Sequence, residues 1–188
     1  MSNYRNGIYV AFAAEGGKNV TETDFRFYNM MTGWDSCKGK EFNMVDSHEK
    51  IAIRDGSKET TIEDTLKKRL RNSKLFILLV GDKTRLDDDF VPMEIKYAID
   101  ECELPVIVCY VNHKSRITKK LSSNLKQLWP ESLKERIENN QVKTLHIPFR
   151  EYILGHAIEG YSCFNPFPYS MSAFKDFIYE KYYDSNDI

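Results

Sequence analysis

A chain of 188 residues fits one domain of ordinary size, long enough to bury well over half of the surface its unfolded form exposes. With 41% hydrophobic and 29% charged residues it has the balance of a globular protein, and its net charge of −1 excludes the broad basic footprint of a general nucleic-acid binder. No apolar run approaches the ~20 residues that span a bilayer, and the start MSNYRNG has no apolar signal-peptide core, so we expect a cytoplasmic location and no membrane partner.

The first strand is GIYVAF at residues 7–12, short and rich in β-branched and aromatic residues, and it ends in the turn AAEGG. Residues 23–33 read as a helix, with Phe27, Met30, Met31 and Trp34 at helical spacing and Thr21 or Thr23 as its cap. Phe42-Asn-Met-Val45 alternates like a second strand and runs into the polar cluster Asp46-Ser-His-Glu49. Residues 60–70 form an amphipathic helix pattern on Ile62, Leu66 and Leu70, with Thr60 and Glu63 spaced as a capping box.

The run LFILLV at 75–80, bounded by Lys74 and Gly81, has the continuous apolarity of a central parallel strand buried on both faces. A helix is expected over 91–102 with Pro92 in its first turn, where a missing N–H costs nothing. The next buried strand covers 104–111, a helical region follows around Leu125, Leu128, Leu133 and Ile137, and a last strand is expected over 142–147. A Pro-rich loop at 164–168 and a terminal helix over 172–183 close the chain. Strands alternating with helices imply a mostly parallel sheet of about five strands in a three-layer, flavodoxin-like α/β fold. A single domain 1–188 is expected, with a core over about 6–150 and a carboxyl-terminal loop and helix over about 151–188.

In such sheets ligands bind outside the carboxyl ends of the strands. Glu94 opens a helix that follows a buried strand, which brings a carboxylate toward that mouth; the plainer account is a first-turn Glu complementing the helix dipole, worth a few tenths of a kcal/mol to about one. Asp46 and His48 offer protonatable groups at a strand end, suited to ribose hydroxyls or acid–base work, against the alternative of a loop capping its own amides. Asn112 ends a strand and presents both a donor and an acceptor. Lys114, Arg116, Lys119 and Lys120 make a basic run, of which a solvated surface is the commoner explanation. The four cysteines form no CxxC pair and no zinc spacing, so reduced structural thiols and no metal site are expected. There is no GxGxxG, no P-loop and no G-x-S-x-G elbow.

The ordered set Val-Ala-Phe12, Phe25–Trp34, Phe42-Asn-Met-Val-Asp-Ser-His-Glu49, Phe76-Ile-Leu-Leu-Val-Gly-Asp-Lys-Thr84, Val91-Pro-Met-Glu-Ile95 and Pro105–Asn112 resembles the TIR-like domains of the MTH538/DUF1863 type. These include the TIR proteins of the bacterial Thoeris antiphage system, and the resemblance covers roughly residues 6–115. It implies a flavodoxin-like TIR fold and an enzyme that cleaves the nicotinamide–ribose bond of NAD, with NAD as substrate and no cofactor. It places the single catalytic glutamate at Glu94, with Phe12 and Asn112 lining the pocket. Asp46 and His48 fall in the family's Asp-x-His segment, and a substrate-binding role for them is inferred from that position. Partners so implied are a separate effector that senses an ADP-ribose-derived product, and a TIR–TIR homo-oligomer. The alternative is a TIR-like assembly module without catalysis. The two readings differ in whether Glu94 opens into a pocket with Phe12 and Asn112 or is tied up elsewhere.

Overall fold

In the computed structural model the described residues are 5–13, 25–37, 59–88, 90–117 and 120–182; for 59–62 the backbone alone is described. Among these residues four strands form one sheet in the order in which the chain makes them: β1 (Gly7–Ala11), β2 (Ser73–Val80), β3 (Val106–Tyr110) and β4 (Thr144–Pro148). Every neighbouring pair is parallel, with Tyr9 beside Phe76, Phe76 beside Val106 and Val106 beside Thr144. The sheet is therefore the parallel α/β sheet expected. A short addition lies beyond β4, where Ser172 bridges Leu145 and the His146 N–H donates to the Ser172 carbonyl at 2.9 Å. The strand read at 42–45 lies outside the described residues.

Strand alternation splits the core into two layers because successive side chains point to opposite faces. Ile8, Val10, Ile77, Leu79, Ile107, Cys109, Leu145 and Ile147 meet α1 (Phe25–Ser36), α6 (Glu151–Gly160) and α7 (Asp176–Tyr182) on one side. Tyr9, Ala11, Phe76, Leu78, Val106, Val108 and Tyr110 meet α2 (Glu59–Asn72), α3 (Phe90–Lys96), α4 (Ser123–Lys126) and α5 (Glu131–Glu138) on the other. These strand side chains are essentially inaccessible, which explains the near-continuous apolar runs.

Several boundaries differ from the sequence expectation, each for a local reason. The helix expected over 91–102 is α-helical only through Lys96 and continues as one wide π-helical turn, Tyr97–Glu101; Glu103 then takes a left-handed φ of 54°. The helical region over 121–138 is two helices because Pro130 cannot extend α4 and instead precedes the first residue of α5. α5 ends in a Schellman turn: Asn140 adopts φ 56°, the Gln141 N–H reaches the Arg136 carbonyl at 2.8 Å, and the Asn140 N–H reaches that of Ile137 at 3.1 Å. The last strand is shifted to Thr144–Pro148, and the terminal helix starts only at Asp176. α2 begins at Glu59, one residue before the proposed capping residue Thr60. α6 has no counterpart in the sequence expectation, although Ile153, Leu154, Ala157 and Ile158 recur at helical spacing and are buried.

All four cysteines are free thiols; burial pushes those of Cys102 and Cys109 upward, which keeps them inert. Among the described residues no helix is long and apolar enough to cross a membrane, and no cluster of His, Cys, Asp and Glu is arranged to hold a metal ion.

Candidate functional site

The turn after β2 is built by Thr84, which is fully buried. Its hydroxyl accepts from the Gly81 N–H at 2.8 Å, so the Gly-x-x-Thr spacing serves to close the chain tightly at the carboxyl end of the strand. Asp87 then takes over. Its carboxylate accepts from the Val91 N–H at 3.3 Å and so starts α3, with Pro92 tolerated because first-turn amides need no helical partner.

This start sets Glu94 one turn further along, on the side of α3 that faces the sheet. Glu94 is not at the helix's exposed first turn but 6% exposed in the interior. Its carboxyl accepts a hydrogen bond from the hydroxyl of Tyr9, a β1 residue with no exposed surface, whose ring stacks on Phe76 with centroids 5.8 Å apart. Burial dominates the electrostatics and pushes the Glu94 carboxyl up to about 8. The Tyr9 bond and the charge of Arg69 pull it down, and the charge of Asp87 pushes it up. The Tyr9 hydroxyl is raised well above its ordinary range for the same leading reason, burial, with the neighbouring Glu94 adding to it. At neutral pH the group at position 94 is therefore mainly a neutral carboxylic acid.

The other expected site residues lie elsewhere. Phe12 follows β1 on the opposite face, stacked on Tyr28 at 5.4 Å and tilted against Phe25 at 5.8 Å. Asn112 is exposed at the carboxyl end of β3, where its amide donates to Asp82 at 3.3 Å across from the end of β2. The structure thus brings Phe12 and Asn112 to the carboxyl edge of the sheet, but neither to the Glu94–Tyr9 pair. Asp46 and His48 lie outside the described residues, as does Lys119 of the basic run.

Sequence reasoning missed Tyr9. The signal was present in the alternation of β1, which puts Tyr9 and Ala11 on the face that α3 covers, but nothing in the sequence says which helix residue meets that face. It also missed a second buried polar cluster. The Trp129 indole N–H donates to the Tyr110 hydroxyl at 2.7 Å, and that hydroxyl lies 2.9 Å from Nδ1 of His146. The Thr144 hydroxyl spends its proton on the Ser170 carbonyl, so Nε2 of His146 carries the proton of the neutral ring and Nδ1 accepts from the Tyr110 hydroxyl. The Nε2 proton points to Thr144 Oγ1 at 2.9 Å. His146 is completely buried, and burial, helped by the charge of Lys126, holds it down to about 3, so it is neutral.

A parallel sheet covered by helices on both faces, with a carboxylate delivered by the helix that follows a central strand, defines an α/β domain of the TIR-like class. Residues 9–116 match the family model described as Thoeris protein ThsB, TIR-like domain. The match covers more than half of the chain, and the protein belongs to that family of defence-related TIR domains. A search of curated proteins finds no match.

Proposed function

We propose that the protein is an NAD-consuming TIR enzyme in which Glu94 promotes cleavage of the nicotinamide–ribose bond, releasing an ADP-ribose-derived signal for a separate effector. The observation that carries this reading is the place of Glu94, on the helix that follows a central strand and within the family-matched segment. Departure of nicotinamide leaves an oxocarbenium-like ribose, and a fixed carboxylate stabilises that developing charge strongly where water is excluded. The leaving pyridinium is already cationic and needs no general acid, so one carboxylate suffices and no triad is required. A neutral acid does not do this work. The enzyme therefore turns over when α3 or its cover shifts enough to hydrate Glu94 and release its proton, for example on TIR–TIR assembly. Activity should accordingly rise between pH 6 and about 8, the value to which burial pushes Glu94.

One observation favours a second reading. Glu94 is closed over and engaged by Tyr9 rather than facing an open cleft with Phe12 and Asn112, as a non-catalytic assembly module would have it. Incubating concentrated protein with NAD and following nicotinamide and every ADP-ribose-containing product by mass spectrometry separates the two. Product from wild type but not from Glu94→Gln supports the enzyme. Equal product from both removes Glu94 from the chemistry, and silence from both, in the presence of phage-infected cell extract, favours the assembly module.

A further inference from the structure

On the α5 side of the sheet a cleft of about 710 Å³ opens between the turn after β2 and the helices α4 and α5. Most of its lining comes from residues 123–171, beyond the family-matched segment, and neither Glu94 nor Tyr9 takes part. Its volume falls within the range of about 300–1,000 Å³ typical of small-molecule sites. Arg85 and Leu86 sit in the turn at the carboxyl end of β2, and Trp129 is bonded to Tyr110, the last residue of β3. The cleft thus borders the carboxyl ends of two central strands, where ligands of open parallel sheets bind.

Its chemistry is divided between its walls. The β2 turn and α4 contribute Arg85 and Lys126, both exposed and neither ion-paired among the described residues. α5 contributes Glu131 and Glu138, with Lys134 held by Glu131 at 3.1 Å. The apolar lining is exposed Leu86 and half-buried Met171, with the edges of the buried Trp129 and Ile137 at its base. The Trp129 indole is fixed before any ligand arrives, since its N–H is spent on Tyr110 and its ring stacks on His146 at 5.3 Å. Two free cations suit a phosphoryl group, carboxylates suit sugar hydroxyls, and a fixed indole beside a thioether suits a flat apolar ring.

We propose that this cleft is a second ligand site, separate from Glu94, that binds a phosphoester of nucleotide size. Arg85 and Lys126 hold the phosphate, Trp129 and Met171 meet the base, and the α5 carboxylates take the ribose hydroxyls.

The chain has two tryptophans, so Trp34→Phe leaves Trp129 as a single reporter inside the cleft. In that background, adenosine monophosphate should change Trp129 emission saturably at or below about 1 mM, and isothermal calorimetry should give the same affinity. Adenosine alone and inorganic phosphate alone should each bind at least ~10-fold more weakly, since each occupies half of the site. Arg85→Ala with Lys126→Ala should weaken the nucleotide at least ~10-fold while leaving the melting temperature unchanged, because both side chains are exposed. Glu94→Gln should bind it as wild type does. The proposal is overturned if calorimetry and fluorescence both show no saturation, or if the double variant binds normally. It is also overturned if Glu94→Gln abolishes binding, which assigns the nucleotide to the other site, or if inorganic phosphate binds as tightly as the nucleotide, which reduces the cleft to a simple anion site.

Discussion

Tyr9 and Tyr110 point their rings to the same face of the sheet, and each hydroxyl meets a buried titratable side chain that is neutral at pH 7. Around His146 every polar atom is spoken for: both ring nitrogens are bonded, the indole and both hydroxyls are used, and the series ends on a backbone carbonyl. Glu94 accepts from the Tyr9 hydroxyl and is otherwise set by burial and by the charges of Asp87 and Arg69. A complete network fixes one arrangement and stabilises it. A buried acid held by one tyrosine hydroxyl keeps a raised proton affinity, a feature that catalytic carboxyls share.

The largest effect expected from this contrast is on chemistry. Glu94→Gln should lower NAD consumption by at least ~10²-fold, while Tyr110→Phe should leave the rate per folded molecule within about twofold, as mass spectrometry of nicotinamide release would report. A rate lost equally in both would erase the functional difference between the two sites.

Stability should rank the other way. Tyr110→Phe strands the indole N–H and Nδ1 of His146 together and should cost about 2–4 kcal/mol in denaturant unfolding. Tyr9→Phe removes the hydrogen-bond donor to the Glu94 carboxyl and should cost about half as much. The reverse order would mean that Tyr9, not Tyr110, anchors the sheet.

The two sites should also respond to pH in opposite senses. His146 titrates near 3 when folded but near 6.5 when unfolded, so the unfolded chain binds the extra proton and stability falls as pH drops from about 6.5 toward 3. Glu94 titrates at about 8 when folded but near 4.5 when unfolded. Here the folded chain holds the extra proton, and stability falls as pH rises from about 4.5 to 8. Glu94→Gln removes the second slope only, so its stability relative to wild type should improve by of order 1–3 kcal/mol between pH 5 and pH 9. An unchanged difference across that range would show that Glu94 is already ionised in the folded protein. The smallest effect belongs to Asn112→Ala, which removes one exposed 3.3 Å bond to Asp82 and should shift stability by no more than about 0.5 kcal/mol.

The fold was largely legible. The runs at 7–12, 75–80 and 104–111 are apolar throughout because strands covered on both faces have no solvent side, and all three proved to be strands. Helix ends were less legible because they depend on single events, the break at Pro130 and the widened turn after Lys96, that periodicity averages over. The helix over 151–160 is hard to see in the sequence because Gly155 and Gly160 dilute its pattern. The site was read in part. Glu94 stood out by its place at the start of the helix after β2, but its surroundings did not.

By itself the sequence determined the layer architecture, the parallel sense of the strands and the helix that bears Glu94, since these follow from local periodicity and from the spacing of turn residues. The tertiary structure alone decided that Glu94 meets Tyr9, 85 residues away in the chain. It alone decided that Phe12 faces the opposite layer, and that Trp129, Tyr110, His146 and Thr144 share protons. Such pairings depend on how a helix is rotated and how far it slides along the sheet, and that is set by packing across the whole layer rather than by any local stretch of chain.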